Sequence, residues 1–229
     1  MEFLENRIWL ITLTFCAFWG AGRLQKRTGW VILNPVLLTI LFMIGYLKAF
    51  DIEYESYHEG GRMIEFWLKP AIVALGLPLY QQLRHIRHQF LPIFISQLAG
   101  CIVGIVSVAL IAEWLGGTRE VILSMVPKSV TIPIAIEVSQ KTGGIPSLTA
   151  AIVVCVGLLG AIAGMKMMSV GRVGSHVARG LSIGTASHVI GTSRASELGE
   201  RYSAYATLGL ILNGVLTALL AGPIVDLIL

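Results

Sequence analysis

Charged residues are scarce in this chain of 229 residues, and long stretches contain none. Only 13% of the residues are Asp, Glu, Lys or Arg, whereas 55% are hydrophobic and the mean hydropathy is +0.77. Soluble domains carry roughly 25% charged residues. The composition therefore excludes an ordinary soluble domain and predicts an integral membrane protein.

Cysteine and aspartate are also rare, which excludes several kinds of chemistry. The three cysteines (Cys16, Cys101 and Cys155) fall in apolar runs, and their odd number argues against a disulfide framework. Aspartate occurs only at Asp51 and Asp226, and no metal-ligand, phosphate-loop or nucleophile-elbow spacing is present. We therefore expect no enzyme activity, no metal and no cofactor. The basic residues are spread over short loops, so the net charge of +4 gives no reason to expect a nucleic acid partner.

Apolar runs long enough for membrane helices recur along the chain. A spanning helix needs about 20 residues, and four runs without Asp, Glu, Lys or Arg reach that length. With shorter segments included, the sequence predicts an all-α polytopic membrane protein with about six full spans. They are Ile8–Gly22, Trp30–Leu47, Phe66–Leu83, Phe90–Ala112, Leu148–Met165 and Tyr202–Val225.

Two polar stretches interrupt this apolar pattern. Gly180–Glu200 (GLSIGTASHVIGTSRASELGE) is rich in hydroxyl side chains and glycines, and Pro127–Glu137 (PKSVTIPIAIE) contains a lysine and two prolines. Inside a membrane, broken polar helices are tolerated only where they line a cavity or are buried in protein. We therefore predict that the two stretches form the walls of one solute site.

The basic loops predict the orientation of the chain, because Lys and Arg mark the cytoplasmic side of short loops. Basic residues cluster at 23–27, 84–88 and 166–179, whereas the loop at 48–62 is acidic. This pattern predicts that the N-terminus and the C-terminus lie outside the cytoplasm. The membrane is expected to be the cell's inner (plasma) membrane.

The same charges favour two re-entrant or discontinuous segments that enter the membrane from opposite sides. They lie near 120–142 and 176–200, within a single transmembrane domain covering 1–229. Eight full spans are the alternative.

Lys128 has the clearest chemical meaning in the first stretch. No other charge lies within 121–136, and a cation near membrane depth is costly unless it meets a counter-ion or a substrate. The alternative is that Lys128 snorkels to an interface. Ser129 and Thr131 follow it, and Pro133 marks a helix start whose free N–H groups attract anions. Together these groups suit a small carboxylate substrate.

The second stretch offers similar groups in a GT-x-SH-x-x-GT pattern. Its hydroxyls can orient a ligand, and its glycines let the backbone approach one. His188 is either a proton carrier for coupled transport or a neutral histidine hydrogen-bonded between helices. Arg194 either pairs with a carboxylate or lies at the cytoplasmic surface. The candidate substrate-binding residues of this stretch are Thr185, Ser187, His188, Thr192 and Arg194.

Glycines in the apolar runs indicate close helix packing, because they stand at or near small-xxx-small spacing. These glycine-rich faces also favour a homo-oligomer. The residues are Gly100, Gly104, Gly157, Gly160 and Gly164.

Three segments carry a family resemblance: PKSVTIPIAIEVSQKTGGIPSLTA, ARGLSIGTASHVIGTSRASELGE and NGVLTALLAGPIV. Together with NPVLLTI and LKPAIVALGLPLY upstream, they closely resemble the LrgB/CidB family of membrane proteins over nearly the whole chain. The resemblance implies a separate LrgA-like small membrane protein as partner. Ile132 departs from the family pattern, in which a second threonine is common there, so one hydroxyl of the predicted site is lost.

Two functions follow from the residues and the resemblance together. One is a carrier for small monocarboxylates (glycolate, glycerate, pyruvate or lactate), with proton coupling as an option. Bacterial members of the family with an LrgA/CidA-type partner are implicated in pyruvate uptake, and a plastid relative exchanges glycolate and glycerate. The alternative is an antiholin-like modulator of murein hydrolase activity and autolysis. A passive channel is a third possibility.

Overall fold

The computed structural model describes residues 6–30, 33–67, 70, 73, 80, 87 and 89–229, and its regular structure there is helical throughout. The all-helical expectation is therefore confirmed for the described residues. The chain divides into two compact units, Met1–Leu75 and Gly76–Leu229. In chain order the helices are α1 (Arg7–Thr28), α2 (Pro35–Ala49), α3 (Tyr54–Phe66), α4 (Phe90–Trp114), α5 (Arg119–Met125), α6 (Ile132–Thr142), α7 (Pro146–Val170), α8 (His176–Ser196) and α9 (Glu200–Ile228).

Three of the described helices, α4, α7 and α9, are long and apolar enough to cross a membrane. They contain 25, 25 and 29 residues. At about 1.5 Å per residue they exceed the roughly 30 Å of a hydrocarbon core. They coincide with three of the predicted spans. The helix of the second predicted span, α2, is apolar but shorter, because it begins only at Pro35, behind the N-cap Asn34.

The first unit is built from α1, α2 and α3. Trp9 Nε1 donates to the Tyr46 hydroxyl over 3.0 Å, which joins α1 to α2. A Cβ built on Gly60 would lie 3.2 Å from the Arg7 carbonyl oxygen, so α3 approaches the backbone of α1 closely. Arg7 also pairs with Glu59.

Two expectations for this unit need correction. The first predicted span, Ile8–Gly22, is only part of α1, which continues through basic residues assigned to a loop and ends at Thr28. The C-cap Gly29 has φ 69°, a left-handed conformation that glycine adopts without strain. The acidic segment at 48–62, predicted to be a loop, is largely helical, since it contains most of α3. The Gly60 face of this helix packs on α1.

The third predicted span, Phe66–Leu83, and the basic turn at 84–88 lie largely outside the described residues. The count of six spans therefore stays a prediction.

Helices α5 and α6 form a hairpin in the stretch 120–142. Between them Pro127 lacks the N–H that would continue α5. After α6 the chain returns to α5, where the Ile145 N–H donates to Ser124 Oγ over 2.7 Å. The base of the hairpin lies at the Trp114 end of α4, since α5 follows α4 directly and α7 starts next to the same base.

Helix α8 also turns back on itself. His188 has φ 44° and ψ −138°, which breaks the helix and is unusual for a residue with a side chain. A Cβ built on Gly191 would lie 2.8 Å from the Ile183 carbonyl oxygen, although eight residues of straight helix span about 12 Å. The base of this second hairpin lies at the Phe90 end of α4, where Leu181 shares a buried cluster with Ile93.

Helices α8 and α9 pack with their backbones almost in contact. A Cβ built on Gly184 would lie 1.9 Å from the Ala206 carbonyl oxygen, and one on Gly209 would lie 2.6 Å from the Leu181 carbonyl oxygen. Only glycine leaves room for this approach. Two glycines of α7, Gly157 and Gly160, make room for side chains of α8. A Cβ on Gly160 would lie 1.5 Å from Ser187 Oγ.

We predict that Gly184→Ala destabilises the protein, because its methyl group would overlap the Ala206 carbonyl and force α8 and α9 apart. Overpacking of this kind costs roughly 1–3 kcal/mol. Thermal unfolding of the purified protein in detergent measures the effect. Gly222→Ala in α9 is the matched control, since nothing lies within 4 Å of a Cβ built there. Equal melting temperatures for the two variants would contradict the prediction.

Candidate functional site

A cavity of about 400 Å³ lies in the second unit, between the turn of the first hairpin and the first half of α8. Helix α4 forms one wall, α9 another, and the first half of α8 a third. The turn between α5 and α6 contributes from the opposite direction. The lining residues are Ser96, Gln97, Gly100, Cys101, Gly104, Ile105, Val126, Lys128, Ser129, Ala178, Leu181, Ser182, Thr185, Ala186, Asn213 and Thr217.

Lys128 supplies the positive charge of this cavity. Its Nζ donates to the Gly104 carbonyl oxygen on α4 over 3.2 Å, and Ser129 Oγ lies 3.5 Å away. No Asp or Glu stands among the lining residues. Within the described part of the chain, no carboxylate forms an ion pair with Lys128. The ammonium group therefore meets uncharged oxygens only, and an anion that entered the cavity would be its first opposite charge.

Thr185 and Gln97 form a polar pair on the other side of the cavity. Thr185 Oγ1 lies 2.6 Å from Gln97 Oε1 and 2.7 Å from the Leu181 carbonyl oxygen. A hydroxyl has one proton, so Thr185 can donate to only one of these acceptors at a time. The pair can therefore change partners when a ligand approaches without leaving the hydroxyl unbonded.

Asn213 of α9 joins the two hairpins. Its Nδ2 donates over 3.1 Å to the Ser129 carbonyl oxygen in the first hairpin and over 3.1 Å to the Thr185 carbonyl oxygen in the second. The residue is only 2% exposed. Breaks in helices leave carbonyl groups unpaired, which is costly away from water. One side-chain amide satisfies one such carbonyl on each side of the cavity.

Three of the predicted substrate-binding residues meet at the cavity: Lys128, Ser129 and Thr185. Parts of both polar stretches therefore lie around one space. Thr131 is instead the N-cap of α6, and its buried Oγ1 has no hydrogen-bond partner within the described part of the chain. Arg194 pairs with Glu197 near the end of α8.

The remaining candidates, Ser187, His188 and Thr192, are buried outside the cavity lining. His188 Nε2 lies 2.8 Å from the Val153 carbonyl oxygen of α7, and Thr192 Oγ1 donates to the carbonyl oxygen of His188 over 2.9 Å. A Cβ built on Gly157 would lie 2.5 Å from His188 Cε1. The imidazole therefore occupies a notch in α7 and holds the turn of the second hairpin. The sequence left two roles for His188, a proton carrier or a histidine hydrogen-bonded between helices. The geometry is that of the second. Binding and proton transfer by these residues stay predictions.

Sequence reasoning missed part of the cavity wall. Gln97, Asn213 and Thr217 are single polar residues inside apolar runs, and polar residues at membrane depth are a signal of function or of polar contacts. Gly100 and Gly104 were interpreted as packing residues, yet they border the cavity. A Cβ on Gly104 would lie 4.0 Å from Lys128 Nζ.

We predict that Asn213→Leu lowers the melting temperature of the protein in detergent, because two buried carbonyls lose their donors. Each unsatisfied group costs roughly 1–3 kcal/mol. Thr217→Val, one turn further along α9, is the matched control. Thr217 lines the same cavity but makes only a 3.5 Å contact with Cys101 Sγ. If both variants melt alike, Asn213 does not hold the hairpins together.

Comparison with known proteins places the chain in a family. The model of the LrgB-like family matches residues 14–227. The holin-like protein CidB of Staphylococcus aureus (strain N315) is 35% identical over 211 residues, which cover 92% of each chain. The holin-like protein CidB of Staphylococcus epidermidis is 32% identical over 219 residues, or 96% of this chain and 95% of the relative.

A further relative is the uncharacterized protein YxaC of Bacillus subtilis (strain 168). YxaC is 37% identical over 216 residues, which cover 94% of each chain. No solved structure matches the chain. With a match over nearly its whole length and apolar helices of membrane-spanning length, this chain belongs to the LrgB-like family of membrane proteins.

Proposed function

We propose that the protein is a carrier for small monocarboxylates, with glycolate, glycerate, pyruvate and lactate as the candidate substrates. The observation that supports this proposal is the cavity of about 400 Å³, whose lining contains the cation of Lys128 and, among the described residues, no acidic side chain. Ligand cavities usually measure about 300–1,000 Å³, so this one suits a small solute with a few water molecules.

The charge of the cavity matches a monoanion better than other solutes. A cation substrate would be repelled by Lys128, and a neutral one would leave its charge uncompensated in a low-dielectric environment. Lys128 already donates to the Gly104 carbonyl as a cation, and a carboxylate acceptor adds the attraction of an opposite charge. A carboxylate can therefore replace the Gly104 carbonyl as the partner of Lys128, while Ser129 and Thr185 offer hydroxyls to the rest of the molecule.

Proton coupling through His188 is a further part of the proposal. His188 Nε2 faces a carbonyl oxygen, which accepts but cannot donate. Nε2 therefore carries the proton of the neutral ring, and Nδ1 is the nitrogen free to take up a second one. A charge gained at the turn of α8 would act on the hairpin that also presents Thr185 to the cavity.

We propose six full spans in the inner (plasma) membrane, with the two hairpins entering from opposite sides and both termini outside the cytoplasm. The basic loops support this orientation. The return of each hairpin to its own base, at opposite ends of α4, is the arrangement that two re-entrant segments would have. An LrgA-like small membrane protein as partner and a homo-oligomeric assembly also belong to the proposal.

A second candidate function is holin-like or antiholin-like control of murein hydrolase activity and autolysis. The names of the staphylococcal relatives favour it, because both are called holin-like protein CidB. A holin-like assembly makes membranes leaky, whereas a carrier keeps them tight and moves solute in a saturable way.

Counterflow in proteoliposomes separates the two candidates. We expect vesicles that hold the purified chain, alone or with an LrgA-like partner, to accumulate radiolabelled glycolate or pyruvate against unlabelled solute inside, and to retain trapped carboxyfluorescein. Dye release without saturable counterflow would instead support the holin-like function. Flux without saturation or counterflow would indicate a channel.

We predict that Lys128→Met lowers the apparent affinity for the transported carboxylate by roughly 10–100-fold, which corresponds to the loss of one charged hydrogen bond of about 1.5–3 kcal/mol. Methionine keeps the length of the side chain without its charge. Lys141→Met is the control, because Lys141 pairs with the exposed Glu137 outside the cavity. Equal affinity in both variants, at equal amounts of folded protein, would remove Lys128 from the site.

A further inference from the structure

A second cavity, of about 350 Å³, lies along the other half of α4. It is bordered by the C-terminal half of α4, by the chain after α4 and by α5. Its lining is apolar apart from Ser107, Lys128 and glycine backbone. The lining residues are Ser107, Val108, Ile111, Ala112, Leu115, Gly116, Gly117, Val121, Met125 and Lys128.

The two cavities follow each other along one side of α4. The first borders α4 from Ser96 to Ile105, and the second borders it from Ser107 to beyond the end of the helix. Among the residues that line them, Lys128 alone belongs to both. Its Nζ donates to the Gly104 carbonyl oxygen, which lies where the first cavity ends on α4.

We propose that the two cavities are the two halves of one solute path along α4, and that the Lys128–Gly104 contact is the barrier between them. This inference rests on the proposed carrier function. It adds a route and a second chamber, which would take the same small carboxylate after it has left the first cavity.

The chemistry of Lys128 explains how the barrier responds to solute. With the first cavity empty of anions, the ammonium group is held by the neutral carbonyl of Gly104. A carboxylate adds a negative charge to this hydrogen bond, so it attracts the ammonium group more strongly than the neutral carbonyl does and draws the flexible side chain away from α4. The side chain can then turn into either cavity with its counter-ion, because it borders both. A solute without negative charge cannot replace the carbonyl and leaves the barrier closed.

The small size of Gly104 leaves a gap beside this barrier. A Cβ there would be in ordinary contact with Nζ, at 4.0 Å, so no backbone would have to move. We expect Gly104→Leu to fill the gap past which the solute moves. Counterflow should fall at least about tenfold relative to wild type. Val103→Leu is the control, since Val103 is 64% exposed and lines neither cavity.

The decisive experiment labels the second chamber. Ser107→Cys and the control Leu110→Cys are each made together with Cys101→Ala, because Cys101 lines the first cavity. Leu110 lies on α4 but in neither cavity. Each purified variant is reconstituted, its glycolate counterflow is measured, and the same vesicles are then treated with anionic methanethiosulfonate ethylsulfonate. Mass spectrometry gives the extent of labelling.

We expect labelling to lower the counterflow rate of Ser107→Cys at least about tenfold while the protein still binds glycolate. The same treatment should leave the counterflow rate of Leu110→Cys unchanged. Full labelling at Ser107→Cys with unchanged counterflow would overturn the proposed path, and so would a thiol there that the reagent cannot reach. A wild-type chain that shows no counterflow before any labelling, either alone or with an LrgA-like partner, would instead refute the carrier function itself.

Discussion

The amide of Asn213 makes the contact on which the arrangement of the second unit depends. Two broken segments reach the same region from opposite ends of α4, and each leaves backbone carbonyls without helical partners. Asn213 donates to one carbonyl of each segment. Away from water such groups need a partner, so one residue of α9 fixes the distance between the walls of the cavity.

Glycine lets the surrounding helices come close enough for this contact. Gly184 and Gly209 bring the backbones of α8 and α9 together, and Gly157 makes room for the imidazole of His188. The unusual backbone at His188 costs roughly 1–3 kcal/mol, and its contact with the Val153 carbonyl opposes part of this cost. The two parts of the second polar stretch therefore have different roles. Its beginning lines the cavity, and its turn anchors the hairpin to α7.

A single lysine then sets the chemistry of the space. Lys128 is held by a neutral carbonyl and borders two cavities that follow each other along α4. A cation with no carboxylate partner among the described residues would attract an exchangeable anion. In the proposed path the same contact separates the cavities, so recognition and passage of a solute would depend on one side chain.

The sequence by itself determined the membrane class, the helices α4, α7 and α9, the breaks in the two polar stretches and the isolated position of the Lys128 charge. Apolar length, proline and isolated charge act locally, so they can be recognised without a fold. The tertiary structure alone decided that Thr185 borders the cavity while Ser187, His188 and Thr192 do not. It also brought in Gln97 and Asn213 from distant helices. Composition shows that these polar groups need partners, but the break at His188 and the packing of α7 and α9 determine which partners they meet.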